Sequence, residues 1–251
     1  MRMAIPTTMP MTATTPPTEA DPPGAPDAAL AMMWLASPAL PVGGFSYSEG
    51  LEAAVEAGMV TGERETLDWL RGQLQLTQAR SELPAAWAAH TAWSAADAVA
   101  LQAVQDWVLC TRETAELRQQ TLQMGRSMID WLRNLHPDHP LLPLAGALRP
   151  APAWPLAFAL GAVATGLDAA RTAQAMAFSW LENQVQAAMR VVPLGQNAGQ
   201  RLLAALLADV PATVDQARNL QGRMDDWQSF SPMLAILSSR HETQYSRLFR
   251  S

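Results

Sequence analysis

The sequence predicts an all-α protein, a single-domain multi-helix bundle built around one buried helix at about residues 156–167. Alanine and leucine are abundant, and this composition favours helix over strand. Apolar residues recur every three or four positions along most of the chain, and no strand-like alternation extends far enough to build a sheet. The 251 residues are sufficient for one large domain with a substantial core.

The chain divides into three segments by composition. Residues 1–26 are rich in proline and threonine without periodicity, and we expect this tail to be disordered because it offers too little apolar surface to offset the entropy of ordering. Residues 27–230 carry the helical patterns. Residues 231–251 are also helical by pattern, but burying their few apolar side chains stabilises the chain only about as much as ordering the backbone costs. We therefore expect this C-terminal segment to be fully ordered only against a partner.

The most distinctive stretch is a loop with two prolines and two adjacent glycines that follows the first predicted helix. Asp27 is predicted to cap that helix, in which Leu30, Met33 and Trp34 follow i, i+3, i+4 spacing. Prolines fix φ in the loop, and glycines permit positive φ and close backbone approach. The residues of this loop motif are Pro38, Pro41, Gly43, Gly44, Phe45, Ser46, Tyr47, Glu49 and Gly50.

Ser46 and Glu49 have the spacing of a capping box and predict a second helix over about residues 47–57. The loop before this helix is either a ligand cradle or a rigid packing joint. The packing joint is favoured because the loop holds no metal or phosphate ligand. Gly44→Val is accordingly expected to damage folding or dimerisation and not a catalytic step.

Helical spacing continues through the rest of the chain. Residues 112–135 form the longest periodic stretch, with apolar Leu117 and Met124 on one face and Glu116 among the polar residues opposite. Residues 156–167 are apolar on every side, which is typical of a helix at the centre of a fold. Further helices are predicted over about residues 61–80, 83–93, 96–111, 172–190, 198–208 and 214–224.

Composition excludes several classes of function. The net charge of −6 argues against a nucleic-acid partner, which would need a basic surface. All 17 basic residues are arginine, so P-loop and Schiff-base lysine chemistry is impossible. Cys110 lies in an apolar helical pattern and is expected to be buried as a small hydrophobic residue. Without a membrane-length apolar run or a secretory signal, the cytoplasm is the expected location.

No complete catalytic motif is found in the sequence. His136 and His139, with Asp138 between them, are weak candidates for a metal site, and a solvated loop broken by prolines is the favoured interpretation. His90 is expected to be a satisfied core residue. The arginines at the end of the chain suggest either a clamp for carboxylate or phosphate, or favourable charges at a helix C-terminus. They are Arg240, Arg247 and Arg250.

Four segments, in chain order, resemble the signatures of the UreF family of urease accessory proteins. They are residues 35–52, residues 112–118 with 123–125, residues 192–196 with 199–200, and residues 231–232 with 239–251. The likeness spans about residues 28–251 and leaves out the tail at residues 1–26.

This resemblance implies an all-α homodimer with no enzymatic activity and no cofactor of its own. It implies a chaperone and scaffold that bridges a UreD/UreH-type accessory protein and a UreG-type GTPase, so that nickel is inserted into apo-urease in a GTP-dependent step. Nickel and GTP would be handled by the partners, and the C-terminal segment would dock on the UreD-type protein. The residues implied in docking are Arg240, His241, Glu242, Tyr245, Arg247, Leu248, Phe249 and Arg250.

Two alternatives stay open at this point. The chain could act as a GTPase-activating partner that supplies an arginine in trans. It could also be a metal-dependent hydrolase that uses the loop of His136 and His139. Removing residues 231–251 is expected to abolish capture of the UreD-type partner while leaving the helical domain folded.

Overall fold

The computed structural model describes residues 27–251, so the predicted disorder of residues 1–26 lies outside the described residues. Within the described range the chain is helical and forms no strand, which confirms the all-α prediction. The helices are α1 (Ala28–Leu35), α2 (Leu51–Glu56), α3 (Glu63–Gln73), α4 (Leu83–Ser94), α5 (Ala98–Cys110), α6 (Ala115–Leu135), α7 (Leu142–Ala147), α8 (Trp154–Ala164), α9 (Ala169–Val191), α10 (Gln196–Leu207), α11 (Val210–Leu220) and α12 (Pro232–His241).

Helix α8 lies at the centre of the fold, as its apolar sequence predicts. It packs against α4 and α6 and also contacts α9 and α5. Leu156, Phe158 and Leu160 have no exposed surface. Gly161 permits the close approach of α6, because a Cβ at this position would lie 2.1 Å from the terminal methyl of Met128. The core is therefore assembled around one helix that is buried on nearly every side.

Helices α3 and α4 are joined by a π-helical segment, Leu74–Glu82, where the sequence analysis predicts a helix ending near residue 80 and a new one starting at residue 83. Pro84 lies at the start of α4 and has no N–H to donate to the Arg80 carbonyl. The Arg80 carbonyl instead accepts a hydrogen bond of 3.1 Å from the Gln228 N–H. The N–H that Pro84 lacks does not break the helix here. The chain instead continues from α3 to α4 through the wider π-helical segment.

Two predictions about burial are wrong. In α1, Leu30, Met33 and Trp34 are exposed while Ala31 and Leu35 are buried, so the predicted apolar stripe is not the face that packs on the core. Cys110 is exposed at the C-terminal end of α5, because the preceding Val108 and Leu109 occupy the buried face.

The predicted lengths also need correction. Helix α9, with 23 residues, is longer than α6, with 21. The proline-rich connection after α6 contains the short helix α7, with a proline in its first turn. Among residues 27–251, no helix is both long and apolar enough to cross a membrane.

Candidate partner-binding site

The loop between α1 and α2 is a tightly bonded joint. Gly43 and Gly50 have φ angles of 74° and 78°, and Glu49 also has a positive φ of 50°. The predicted capping box is wrong, because Ser46 ends a short 3-10 helix and α2 begins only at Leu51, after Gly50. A left-handed residue cannot continue a right-handed helix, so the two positive φ values at positions 49 and 50 delay the helix start.

The motif residues divide between the surface and the interior. Gly44, Tyr47 and Gly50 are buried, whereas Phe45 is 58% exposed. Burial raises the pKa of the Tyr47 hydroxyl, and the nearby Arg250 guanidinium acts in the opposite direction. Of the remaining motif positions, Pro38 and Pro41 are exposed, and Gly43, Ser46 and Glu49 are half-buried. The interpretation of the loop as a packing joint therefore fits its geometry.

Glu49 connects this joint to the two longest helices. Its Oε1 accepts a hydrogen bond of 2.6 Å from Gln120 of α6, and its Oε2 accepts one of 2.8 Å from the indole N–H of Trp180 of α9. Burial raises the pKa of the Glu49 carboxyl, and the two hydrogen bonds partly oppose that effect. Glu49 thus acts as a tertiary contact, where the sequence analysis predicts a local capping residue.

The C-terminal segment packs back onto this joint. After α12, the chain turns and runs beside residues 46–48, where the N–H groups of Ser48 and Arg250 donate bonds of 2.8 Å to the carbonyls of Ser251 and Ser46. The Ser48 hydroxyl donates a further bond of 2.6 Å to the Ser251 carbonyl. Ser251 and Phe249 are buried. The segment is therefore ordered against its own domain, where the sequence analysis predicts ordering only against a partner.

A buried ionic network, formed by Glu52, Glu116, His241 and Arg247, holds the segment in place. The two ring nitrogens of His241 lie 3.2 Å from a carboxylate oxygen of Glu52 and 2.8 Å from one of Glu116. Arg247 donates a bond of 2.7 Å to the other oxygen of Glu116. His241 has no exposed surface. Each ring nitrogen of His241 therefore faces a carboxylate, and Glu116 joins the histidine to Arg247.

Backbone groups complete the coordination of these acidic side chains. The N–H groups of Leu248 and Phe249 donate bonds of 2.8 and 3.0 Å to Glu52. This satisfies a carboxylate that would otherwise be costly to bury. These polar contacts stabilise the ordered segment beyond what burial of its apolar side chains contributes. The network explains why a segment with few apolar residues is ordered.

A second set of contacts ties α12 to the start of α6. The carboxylate of Glu242 accepts bonds of 3.0 and 3.4 Å from the N–H groups of Ala115 and Glu116. A carboxylate at a helix N-terminus is stabilised by the unpaired N–H groups and the helix dipole. The hydroxyls of Thr114 and Ser238 lie 2.7 Å apart at the same place. Helix α6 is thus capped partly by the C-terminal segment.

The predicted docking residues therefore have different environments. His241 and Phe249 are buried inside the chain, Arg247 is engaged by Glu116 and Glu242 caps α6, so none of these four offers a free side chain in this arrangement. Six members of the set are exposed, and four of these, Arg240, Tyr245, Leu248 and Arg250, take no part in those side-chain contacts. Tyr245 is fully exposed and Leu248 is 71% exposed. The ionic network holds these exposed side chains on a fixed turn, an arrangement suited to protein recognition.

The acidic half of this network, Glu52 and Glu116, has no motif in the sequence that predicts its role. Glu52 lies among Leu51, Ala53 and Ala54, all buried, and its position within an apolar turn was the available signal. Glu116 was placed on the exposed face of α6 although it is buried. Glu116 lies on the polar side of the helical pattern, as a solvated residue would. Only its tertiary contact with His241 shows that it is buried.

The weak metal site is not assembled. Residues 27–251 contain no group of three or more histidine, cysteine or acidic side chains that could hold a metal ion. His136 is exposed, and the Nδ1 of His139 accepts a bond of 3.3 Å from the Leu141 N–H. Burial, together with the nearby His136, lowers the pKa of His139. His90 fits its predicted role, since its Nε2 bonds to the Leu167 carbonyl at 2.7 Å.

The sequence matches a family model described as UreF over residues 60–207. The urease accessory protein UreF of Paracidovorax citrulli is 56% identical over 233 residues, which cover 92% of each chain. That of Methylibium petroleiphilum is 56% identical over 224 residues, or 88% of this chain and 93% of the relative. A bifunctional urease accessory protein UreEF of Bordetella bronchiseptica is 46% identical over 226 residues, which cover 88% of this chain and 51% of that protein.

The full-length relatives extend the match beyond the residues of the family model. The model range excludes both the loop joint and the C-terminal segment. The alignment with the Paracidovorax citrulli protein covers nearly the whole chain at more than half identity. Together with the all-α fold, these findings show that the chain is an accessory protein and not an enzyme, and that it belongs to the UreF family of urease accessory proteins.

Proposed function

We propose that this chain acts as a homodimeric scaffold in urease maturation. It bridges a UreD/UreH-type accessory protein and a UreG-type GTPase, and the assembly docks on apo-urease for GTP-dependent nickel insertion. Family membership supports this role. The observation that carries the proposal is the fixed C-terminal turn, where exposed Tyr245 and Leu248 stand on a buried ionic network. Exposed aromatic and aliphatic anchors held by a rigid base are typical of protein-binding surfaces.

In this proposal the chain positions its partners and holds neither nickel nor GTP itself. The UreD-type protein contacts the turn that carries Tyr245 and Leu248, and the GTPase binds another part of the surface. The assembly works in the cytoplasm, where apo-urease is available. The chain's contribution is geometric, since binding several partners at once raises their effective concentration for one another.

The test is co-purification of the UreD-type protein from cells that express the whole urease operon. The double variant Tyr245→Ala/Leu248→Ala removes two exposed side chains without touching the ionic network. We expect it to lose the partner and to lower the nickel content of urease. The matched control is Val99→Ala on α5, which also removes an exposed apolar side chain, 81% exposed, far along the chain from the C-terminal turn.

Unchanged co-purification with the double variant, at unchanged helical content, would refute this docking assignment. Point variants are preferable to removal of residues 231–251. That deletion would also leave Glu52 and Glu116 without His241 and Arg247, so a loss of binding would be mixed with damage to the domain.

A second candidate function is activation of the GTPase by an arginine in trans. Within residues 27–251, Arg240 and Arg250 are exposed and form no ion pair with a carboxylate, whereas Arg247 is paired with Glu116. If one of them supplies the arginine, its replacement by alanine should slow GTP turnover at least tenfold, and the other alanine variant is then the control. Pure scaffolding predicts that turnover by the assembled complex is unchanged.

A further inference from the structure

A pocket with a mixed polar and apolar lining lies between the π-helical segment, α6 and α9, with Glu49 in its wall. Its volume is about 80 Å³. One water molecule needs roughly 10–15 Å³, so this volume holds several waters or one small organic ion. Among the lining residues, Glu113 is exposed. Glu49 of the loop joint and Trp180 of α9 form part of the wall.

The wall of the pocket contains a buried acceptor that no described residue satisfies. Within residues 27–251, the Oε1 of Gln78 has no hydrogen-bond partner, and neither has the Nε of Arg80 on the same segment; Gln78 is only 3% exposed. Thr77 and Ser81, on the same π-helical segment, donate their hydroxyl protons at 2.7 Å to the backbone carbonyls four residues earlier. Each hydroxyl thus uses its proton on the backbone and keeps only acceptor capacity for another group. An unpaired buried acceptor is unfavourable unless something supplies a donor, and π-helical segments are frequent at functional sites.

Acidic side chains outnumber basic ones around this pocket. Glu49, Glu82 and Glu113 line it together with Arg112. Arg112 forms a two-bond ion pair with Glu82, at 2.5 and 3.0 Å, and so neutralises that carboxylate. Within residues 27–251, neither Glu49 nor Glu113 forms an ion pair of its own, although the Arg112 charge acts on both. Burial raises the pKa of both carboxyl groups, and the charge of Arg112 only partly opposes this effect.

The chemistry of the wall favours an organic cation over a metal ion. Among residues 27–251, no three histidine, cysteine or acidic side chains are grouped closely enough to hold a metal. The indoles of Trp154 and Trp180 also line the pocket, and tryptophan attracts ammonium and guanidinium ions. We propose that this pocket binds a small organic cation with N–H donors, an alkylammonium or guanidinium ion, which bonds to Gln78 and is neutralised by Glu49 and Glu113.

The experiment is calorimetric titration of the full chain with methylguanidinium chloride and, separately, methylammonium chloride at constant ionic strength. Tetramethylammonium chloride, a cation without N–H donors, is the ligand control. We expect saturable binding of at least one of the two donors and none of the control. We expect Glu113→Gln and Gln78→Met each to weaken that binding at least tenfold, while Glu56→Gln, an exposed change of the same charge on α2, leaves it unchanged.

Thermal unfolding of the ligand-free variants separates a binding defect from a folding defect. Gln78→Met removes the unpaired acceptor, so the midpoint of the ligand-free variant should be equal to or higher than that of the wild type. Absence of saturable binding by both donors would show that water alone fills the pocket and would overturn the proposal. Equal binding of tetramethylammonium, or binding unaffected by Gln78→Met and Glu113→Gln, would overturn it as well.

Discussion

Helix α8 and the C-terminal segment are both buried, but opposite kinds of chemistry hold them. The buried surface of α8 is apolar, with Leu156, Phe158 and Leu160 fully enclosed by neighbouring helices. The C-terminal segment is held by hydrogen bonds and ion pairs that converge on two buried carboxylates, those of Glu52 and Glu116. The first contact is broad and non-directional, and the second depends on a few aligned atoms.

This difference determines which parts of the molecule unfold together. Apolar burial is shared among many neighbours, so damage to α8 weakens the whole domain. A buried ion pair fails as a unit, because removing one partner leaves the other charge uncompensated. Damage to the ionic network is therefore expected to release the C-terminal segment first. The exposed recognition residues lie on the part of the chain that can be released locally.

The largest expected effect comes from breaking the apolar contact. Phe158→Ala should lower the free energy of unfolding by about 3–5 kcal/mol, because it removes a fully buried ring and leaves a cavity. Urea denaturation followed by circular dichroism measures this change. Phe45→Ala, the same substitution at a position that is 58% exposed, is the control and should alter the midpoint little. Equal effects of the two variants would contradict the central position of α8.

The next largest effect comes from breaking the ionic network. His241→Ala should destabilise the docked segment by about 2–3 kcal/mol, the range for hydrogen bonds to charged groups. The measurement is trypsin cleavage at the arginines of the segment, expected to be roughly 30- to 150-fold faster at that change in free energy. His136→Ala, at an exposed position, is the control. Cleavage at the wild-type rate, or unfolding of the whole domain as in Phe158→Ala, would contradict a local role for the network.

The same contrast explains what the sequence could predict. The central helix was predicted correctly because burial on all sides produces an apolar run with a local signal. The ionic network was missed because its acidic and basic members are separated by more than 100 residues and each looks like a solvated side chain. His241 and Glu52 are 189 positions apart. No periodicity within one helix reveals such a contact.

The start of α2 illustrates a second kind of limit. Ser46 and Glu49 fit the capping-box pattern, but the positive φ values of Glu49 and Gly50 exclude a helix that starts directly after Ser46. Glu49 adopts this conformation while its carboxylate bonds to Gln120 and Trp180. A tertiary contact thus overrides a local preference, which is common where local patterns are short.

A smaller effect is expected at the joint between the two regions. Gly50→Ala should cost about 2 kcal/mol, because a side chain at a φ of 78° is strained and its Cβ would lie 2.9 Å from Leu234. Gly58→Ala is the control at a φ of 70° with open space, and strain alone should cost about 1 kcal/mol. At Gly44, which has no positive φ, the added Cβ would lie 2.6 Å from the end of the flexible Asn183 side chain. Thermal unfolding that ranks Gly44→Ala above Gly50→Ala would contradict this order.

The smallest expected effect is a change in the pH dependence of stability. It concerns Glu49, a carboxylate that burial disfavours and hydrogen bonds stabilise. Burial raises the pKa of the Glu49 carboxyl above its ordinary value of 4.5. Between the unfolded and the folded pKa, the native state binds more protons, so this group makes stability fall as pH rises through that window and contributes no slope above it. Glu49→Gln removes the titration and keeps an acceptor for either Trp180 or Gln120.

Urea denaturation of the wild type and Glu49→Gln at intervals from pH 4.5 to pH 7.5 measures the difference. The free energy of unfolding of the wild type, taken relative to that of the variant, should decrease as pH rises and then level off. Glu56→Gln removes an exposed carboxyl and should show no such window. Parallel curves for the wild type and Glu49→Gln would mean that the hydrogen bonds from Gln120 and Trp180 fully offset the cost of burial. The loop joint would then resemble the ionic network, where directional bonds compensate each buried charge, more closely than it resembles α8.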